Sequence, residues 1–188
     1  MTWIEAIAVV AGLFCVALTV RQNVWCWPVG LIQVSLYIVI FYNVKLYSDM
    51  LLHGIYVVLQ FYGWHHWLHG GEAQGRLAVS SLSVRSIAGW VAASALGCAA
   101  WGHAMASFTD AAAPYADAFI AVASLIAQWL MTRKNLESWF FWIAVDVVAI
   151  GVYLYKHLYL TAGLYALFLG LAVVGFFSWR KSMRKITT

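Results

Sequence analysis

The sequence predicts an all-α integral membrane protein that crosses the bilayer seven times. Of its 188 residues, 64% are hydrophobic and only 10% are charged, whereas an average soluble domain is about half apolar and a quarter charged. Seven blocks approach the length of about 20 mostly apolar residues that a helix needs to span the hydrocarbon core. These blocks cover residues 3–20, 27–43, 47–67, 84–104, 115–132, 138–155 and 159–179.

Taken in order, the blocks have features that suit membrane helices. No basic segment precedes residues 3–20, so this block predicts a first membrane helix rather than a cleaved signal peptide. The second block starts beside Pro28, and proline suits the first turn because its missing N–H would have no partner there. The third carries a polar stripe. The fourth is rich in small residues from Ala92 to Gly97, which favours close helix packing. The last three resemble the first three.

This resemblance is a direct repeat. Residues 6–67 align with residues 118–179 without a gap, at an offset of 112, with 15 identities in 62 positions. One block stands between the copies, so both copies have the same orientation in the membrane. Parallel repeats of this kind are typical of transporters, whose substrate site lies between the halves near the midplane. The predicted units are a first three-helix repeat (1–67), a loop and linker helix (68–112), a second three-helix repeat (113–179) and a basic cytoplasmic tail (180–188).

The basic residues predict an orientation. They lie between the apolar blocks or at the C-terminus rather than along one helix face, which argues against nucleic-acid binding despite the net charge of +4. The positive-inside rule then places the C-terminus in the cytoplasm and the N-terminus outside. One side has nine basic residues (Arg21, Arg76, Arg85, Arg133, Lys134, Arg180, Lys181, Arg184 and Lys185), and the other has two (Lys45 and Lys156). Tryptophans near the block ends are expected at the membrane interface: Trp3, Trp25, Trp27, Trp64, Trp67, Trp139 and Trp179.

No metal or cofactor site is predicted. Cys15, Cys26 and Cys98 form no close pair, so their spacing fits neither a zinc site nor a disulfide framework. His65 and His69 are one helical turn apart, but we interpret the histidines at the end of the third block as interfacial rather than metal-binding.

Polar groups within the blocks are candidates for a substrate site, because they are costly inside a membrane. In the third block they share one helix face: Asp49, His53, Tyr56, Gln60 and Trp64. The sixth block repeats this pattern with Trp139, Trp142, Asp146 and Tyr153. Gln128 in the fifth block and Tyr165 in the seventh complete the predicted set.

Asp146 is the residue that most strongly indicates the chemistry of the substrate. A carboxylate in the middle of a span must be protonated, hydrogen-bonded or paired with a cationic ligand, and no Lys or Arg lies at its depth. Aromatic faces beside a carboxylate favour a delocalised organic cation. Gln, Tyr and Asp side chains would also bind the hydroxyls of a sugar, while interhelical hydrogen bonding in a bundle core remains the structural alternative. The pattern therefore predicts a small, flat, cationic or polar solute.

Several motifs give the sequence a family resemblance that extends from the first block to Trp179. The motifs are Trp27-Pro28-x-Gly30, Leu46-Tyr47-Ser48-Asp49, Tyr62-Gly63-Trp64-x-x-Trp67, Gln128-Trp129-Leu130, Asn135-Leu136-Glu137-Ser138-Trp139 and Leu158-Tyr159-Leu160-Thr161-Ala162. The chain resembles the PnuC-type vitamin transporters, which take up nicotinamide riboside. The resemblance implies two parallel three-helix bundles joined by a linker helix, as in SWEET sugar transporters. It also implies a homotrimer in the bacterial cytoplasmic membrane, facilitated diffusion, and trapping of the substrate by a cytoplasmic kinase.

Two departures from the family pattern leave the substrate open. His53 stands where family members commonly have Gln, and Ser48 replaces an Ala. Close relatives carry thiamine or riboflavin, and thiamine is a cation like nicotinamide riboside. A membrane-embedded enzyme is the alternative from another class, but the sequence has no nucleophile motif, metal-ligand set or Gly-rich phosphate loop.

The asymmetry in basic residues predicts the outcome of a reporter experiment. A reporter enzyme that is active only in the periplasm, fused after Thr188, should be silent because the C-terminus is expected in the cytoplasm. The same reporter fused before Met1 is the matched control and should be active. Strong activity of the C-terminal fusion would mean that the orientation or the number of spans is wrong.

Overall fold

The chain folds into helices that follow the predicted blocks closely. The computed structural model describes residues 3–43, 45, 47–71, 75–109 and 112–186, without the side chains at 47, 48, 185 and 186. Within these ranges the helices are α1 (Trp3–Val20), α2 (Cys26–Asn43), α3 (Tyr47–His69), α4 (Val84–Phe108), α5 (Pro114–Thr132), α6 (Ser138–Tyr155) and α7 (Tyr159–Ile186). The prediction of an all-helical membrane fold is confirmed. Leu46 of the second sequence motif lies outside the described residues.

Two details differ from the predicted spans. α7 continues to Ile186, so the segment predicted as a basic tail is helical over most of its length. In the described part of the chain, five helices are long and apolar enough to cross a membrane, namely α1, α2, α5, α6 and α7. α3 and α4 fall short, because α3 carries the polar stripe and α4 consists largely of small, weakly hydrophobic residues.

The helices pack mainly on their neighbours in the chain. α2 lies against both α1 and α3, and α6 lies against both α5 and α7. α4 packs on α5. Two contacts connect the repeated regions, namely α1 with α7 and α3 with α5. Each of these contacts therefore brings the first helix of one repeat against the last helix of the other.

Four tryptophans form the centre of the packing. Trp27 and Trp67 meet edge to face, with ring centroids 5.3 Å apart and planes at 86°. Trp139 and Trp179, at the repeat-related positions, show the same distance and the same angle. Trp67 also lies against Trp179, at 5.7 Å. All four are buried, so their rings face other helices rather than lipid. Their placement at the depth of the membrane interface stays a prediction. Hydropathy located them near helix ends but could not show that they face inward.

Reciprocal hydrogen bonds join the two repeats at these rings. Trp67 Nε1–H donates to the carbonyl oxygen of Met131 on α5, at 3.0 Å. Trp179 Nε1–H donates to the carbonyl oxygen of Thr19 on α1, also at 3.0 Å. Thr19 and Met131 are themselves related by the repeat offset. Each repeat thus donates one indole hydrogen bond to the other, a two-fold arrangement that the sequence repeat anticipates.

Two glycines allow the rings to pack so closely. A Cβ atom placed on Gly175 would lie 2.5 Å from the indole ring of Trp139, and one on Gly63 would collide with the ring of Trp27. Small residues at helix contacts are a common feature of membrane proteins, because they let helices approach closely. Gly63 and Gly175 are also related by the repeat.

The segment between α3 and α4 packs on the loop between α5 and α6. Ser80 and Asn135 form an isolated parallel β-bridge. Glu137 is buried, and its carboxylate accepts hydrogen bonds from the hydroxyl of Ser81 at 2.6 Å and the backbone N–H of Leu82 at 3.1 Å. This connection therefore attaches the start of α4 to the second repeat.

The glycine contacts predict a pair of opposite mutational effects on α7. Gly175→Ala should lower the free energy of unfolding by about 1–3 kcal/mol, because the added methyl group overpacks the contact with Trp139. Gly170→Ala is the matched control, since that position faces open space and alanine is the better helix former. Thermal unfolding of both purified variants in detergent tests this. The packing argument fails if Gly175→Ala is as stable as the parent.

Candidate substrate site

A hydrogen bond links α3 to α5 at the predicted polar stripe. The hydroxyls of Tyr56 and Ser124 are 2.7 Å apart. Ser124 also donates to the backbone carbonyl of Ala121, at 3.1 Å, so the hydroxyl of Tyr56 is left as the donor to Ser124 when both bonds form. Tyr56 and Ser124 therefore form one wall of a polar region between the two repeats.

His53 lies one turn before Tyr56 and is surrounded by aromatic rings. Its Nδ1 lies 2.9 Å from the carbonyl oxygen of Asp49. Because a carbonyl only accepts, this bond requires the proton on Nδ1 and leaves Nε2 as an acceptor when the ring is neutral. The centroid of the imidazole ring lies 4.9 Å from the ring centroid of Phe41 on α2 and 5.5 Å from that of Tyr56.

A second aromatic group occupies the repeat-related positions on α6 and α7. The ring centroid of Tyr165 lies 5.2 Å from that of Tyr153 and 6.0 Å from that of Phe168. The first triad (Phe41, His53 and Tyr56) and the second triad (Tyr153, Tyr165 and Phe168) correspond one to one at the repeat offset. The hydroxyl of Tyr165 lies within electrostatic range of Tyr56, so the two triads approach each other.

Asp146 supplies the charge that breaks this symmetry. Its repeat-related position holds Val34, a buried apolar residue. Asp146 is only 3% exposed and lies within electrostatic range of Tyr165. Among the residues that the structure describes, no hydrogen-bond donor lies close enough to bond its carboxylate. A buried carboxylate beside the second aromatic triad is suited to a cationic ring or to the hydroxyls of a polar solute.

The other predicted polar residues have different surroundings. Gln60 is buried, and its amide packs on the backbone of Gly30, which has no side chain to obstruct it. Its Oε1 has no hydrogen-bond partner within the described part of the chain. Gln128 is half-buried one turn after Ser124 on α5. Asp49 is half-buried in the first turn of α3, where its backbone carbonyl orients His53.

The predicted tryptophans lie with the packing core rather than with the triads. Trp139 is fully buried against Gly175 and Trp179. Trp64 and Trp142 are partly buried and pack on the same cluster. The structure therefore brings His53 against Tyr56 and Tyr153 against Tyr165, with Tyr56 and Asp146 within electrostatic range of Tyr165. The three tryptophans pack on the cluster of buried tryptophans.

Sequence reasoning missed Ser124, Tyr37 and Phe41. Tyr37 of α2 contacts His53 at 5.5 Å and Phe41 at 5.7 Å. Helical spacing could have indicated all three, since Tyr37 and Phe41 are one turn apart and Ser124 is one turn before Gln128. Within the described ranges, no group of three or more His, Cys, Asp or Glu residues is placed to hold a metal ion.

Comparison with known proteins identifies the family. Residues 2–181 match the family described as Nicotinamide mononucleotide transporter. The chain belongs to this family. The resemblance noted in the sequence is confirmed, and so is the prediction of a membrane transporter rather than an enzyme, because the family consists of transporters.

Individual relatives cover nearly the whole chain. The chain is 31% identical to the nicotinamide riboside transporter PnuC of Neisseria mucosa, over 98% of this chain and 74% of the relative. It is 25% identical to the protein of the same name from Escherichia coli, over 98% and 88%. It is 24% identical to the riboflavin/roseoflavin transporter RibM of Streptomyces davaonensis, over 94% and 84%.

A solved structure has the same fold. The crystal structure of the vitamin B3 transporter PnuC superposes with a TM-score of 0.77 and 29% identity, over 97% of this chain and 83% of that chain. The fold of this chain is therefore that of a vitamin transporter.

The bond between Tyr56 and Ser124 predicts a measurable coupling. Tyr56→Phe and Ser124→Ala each remove it, so the double variant should be less destabilised than the sum of the single variants. The expected coupling energy is about 0.6 kcal/mol, a typical value for hydrogen bonds between membrane helices. Unfolding of the three variants in detergent gives the cycle, and additive effects would show that the two hydroxyls do not interact.

Proposed function

We propose that this protein takes up nicotinamide riboside across the bacterial cytoplasmic membrane by facilitated diffusion, and that a cytoplasmic kinase traps the substrate by phosphorylation. Two relatives carry the name of a nicotinamide riboside transporter, which supports this choice of substrate. We further propose a homotrimer with the N-terminus outside and the C-terminus in the cytoplasm, in keeping with the distribution of basic residues. The halves are residues 1–67 and 113–179, joined by the linker at 68–112.

The single observation that carries the proposal is the buried carboxylate of Asp146, which has no partner among the described residues. Nicotinamide riboside has a flat, positively charged ring and a sugar with free hydroxyls. The carboxylate attracts the ring charge, and aromatic faces of the two triads stabilise a flat cation. Tyr56, Tyr153 and Tyr165 offer hydroxyls that hydrogen-bond a sugar. The proposed site therefore consists of Asp146 with the two triads, while Gln60 and Gln128 supply further amide groups.

Uptake into proteoliposomes tests the substrate. Labelled nicotinamide riboside should enter faster than labelled thiamine or riboflavin, and empty liposomes serve as the control. No chain of intramembrane acids is present in the sequence to hold a coupling ion. Uptake should therefore stop at equal concentrations on both sides. Accumulation driven by a proton or sodium gradient would contradict facilitated diffusion, and preferential uptake of thiamine or riboflavin would contradict the proposed substrate.

Replacement of Asp146 tests the site. Asp146→Ala should weaken nicotinamide riboside binding by about 1–3 kcal/mol, the range for loss of a charged hydrogen-bond partner. Asp146→Asn keeps the size and removes the charge, and should have a similar effect if the charge of the substrate matters. Asp49→Ala is the matched control and should weaken binding less, because Asp49 lies at the start of α3 where water screens it.

Calorimetric titration measures the affinity of the three variants, and size-exclusion chromatography shows whether they stay assembled. Unchanged affinity in both Asp146 variants would mean that Asp146 is structural and that the substrate binds along α3 instead.

Riboflavin is the second candidate, because RibM is among the relatives. Its flavin ring is flat but uncharged. Binding of riboflavin should therefore respond to the loss of aromatic rings more than to the loss of charge in Asp146→Asn.

A further inference from the structure

A basic cavity lies at the opposite end of the helices from Lys45 and Lys156. It has a volume of about 400 Å³ and lies where α1 ends, α2 begins and α3 ends. Among the described residues, the lining includes three basic side chains and no acidic one. Six lining residues matter here: Arg21, Gln22, Asn23, Trp67, Arg76 and Lys134. None of them belongs to the candidate substrate site.

The cavity lies at a position where the two repeats differ in structure. In the second repeat, the turn after α5 is covered by the segment before α4, which bonds to Asn135 and Glu137. The repeat-related turn after α1 contains Asn23 and Trp25. That turn lines the cavity instead of being covered. The two turns therefore differ in their surroundings: Asn135 Nδ2 and the Glu137 carboxylate bond to the segment before α4, whereas Asn23 lines the cavity.

Lys134 is the buried cation of this cavity. It is 7% exposed, its ammonium group donates to the carbonyl oxygen of Leu77 at 2.8 Å, and it lies 4.6 Å from the ring centroid of Trp67. Among the described residues, no carboxylate forms an ion pair with it. Burial, with a smaller contribution from the nearby positive charge of Arg76, lowers the pKa of Lys134 to about 8. The group is thus still protonated at pH 7, and within the described ranges no carboxylate serves as its counter-ion.

A buried charge without a partner costs several kcal/mol, and like charges nearby add to that cost. Two guanidinium groups, from Arg21 and Arg76, line the same cavity, and both residues are exposed to water. Guanidinium groups bind phosphate oxygens through paired hydrogen bonds, and a lysine adds a point charge. Asn23 and Gln22 supply further amide groups at the rim.

We propose that this cavity binds a phosphate-bearing anion between Arg21, Arg76 and Lys134. Two sources share that chemistry: the headgroup of an anionic lipid, and a soluble phosphomonoester such as a nucleotide. The bound anion is the counter-ion of Lys134. The anion also holds together the end of α1, the end of α3 and the turn after α5, because residues at all three places line the cavity.

Binding at this position acts on the junction between the repeats. Trp67 lines the cavity, donates to Met131 of the second repeat and contacts Trp179. An anion that fixes Lys134 over Trp67 therefore stabilises the same contacts that join the two halves. This function is separate from the proposed transport of a vitamin and does not depend on it.

Thermal unfolding of the full-length protein tests the site in two arms. In neutral detergent, inorganic pyrophosphate and adenosine monophosphate are titrated at constant ionic strength. In nanodiscs, phosphatidylglycerol is compared with phosphatidylcholine. A ligand that binds only the folded state raises the unfolding temperature in a saturable way. Such a rise is expected in at least one arm, and the arm in which it occurs identifies the source of the phosphate.

Three variants establish where the anion binds. Arg21→Gln and Arg76→Gln should each raise the half-saturating anion concentration by about tenfold, because each removes a charged hydrogen-bond partner. In nanodiscs both should lose most of the extra stability in phosphatidylglycerol. Arg85→Gln is the matched control, since Arg85 is exposed near the start of α4 and does not line the cavity. No saturable rise in either arm, or an equal loss in Arg85→Gln, would overturn the proposal.

Discussion

The fold depends on two indole hydrogen bonds that cross between the repeats. Lipid tails are as apolar as leucine, so membrane helices gain little from hydrophobic burial against one another and rely on close packing and hydrogen bonds. Trp67 and Trp179 supply both, since each ring is buried and each Nε1–H reaches the carbonyl at the end of a helix in the other half. Gly63 and Gly175 make this possible by leaving space for Trp27 and Trp139. Without these glycines, the rings of Trp27 and Trp139 could not pack so closely on the neighbouring helices.

The same end of the molecule shows how a repeated sequence can differ in function. The turns after α1 and α5 share a residue with positive φ, at Gln22 (54°) and Lys134 (56°), so their backbones bend alike. Within the described ranges, the segment before α4 hydrogen-bonds to the second turn through Ser80, Ser81 and Leu82. Beside the first turn, Arg76 of the same segment lines a cavity instead. The first turn also lines this basic cavity. The asymmetry results from one connecting segment placed on a symmetrical framework.

The polar region between the triads follows the same logic. Six ring positions correspond across the repeat, whereas Asp146 has an apolar counterpart in Val34. A solute in this region would meet aromatic groups from both halves and a carboxylate from one half. An aromatic framework with two-fold symmetry and a single acid can bind an asymmetric molecule in a defined orientation. The structural alternative, in which these groups only bond helices together, accounts well for Tyr56 and Ser124 but leaves Asp146 without a partner.

The amino-acid sequence by itself determined the helices, their order and the repeat. It did so because a membrane span must satisfy its own backbone hydrogen bonds, which makes long apolar blocks readable as helices. It also identified Asp146, His53 and Tyr165, because polar groups are conspicuous in an apolar block. These predictions rest on local composition and spacing, which require no knowledge of the partner helix.

Only the tertiary structure decided which way each side chain faces. Trp27 and Trp139 lie near helix ends, where tryptophans are common at the interface, yet both rings are buried against a glycine of another helix. Ser124 and Tyr37 became part of the polar region through contacts with residues on α3, far away in the sequence. In the sequence Lys134 is one of nine basic residues on one side of the membrane, but the segment before α4 buries it. Such facts depend on how the helices pack on one another. The spacing of residues within one helix shows which of them share a face, but it does not show which helix that face contacts.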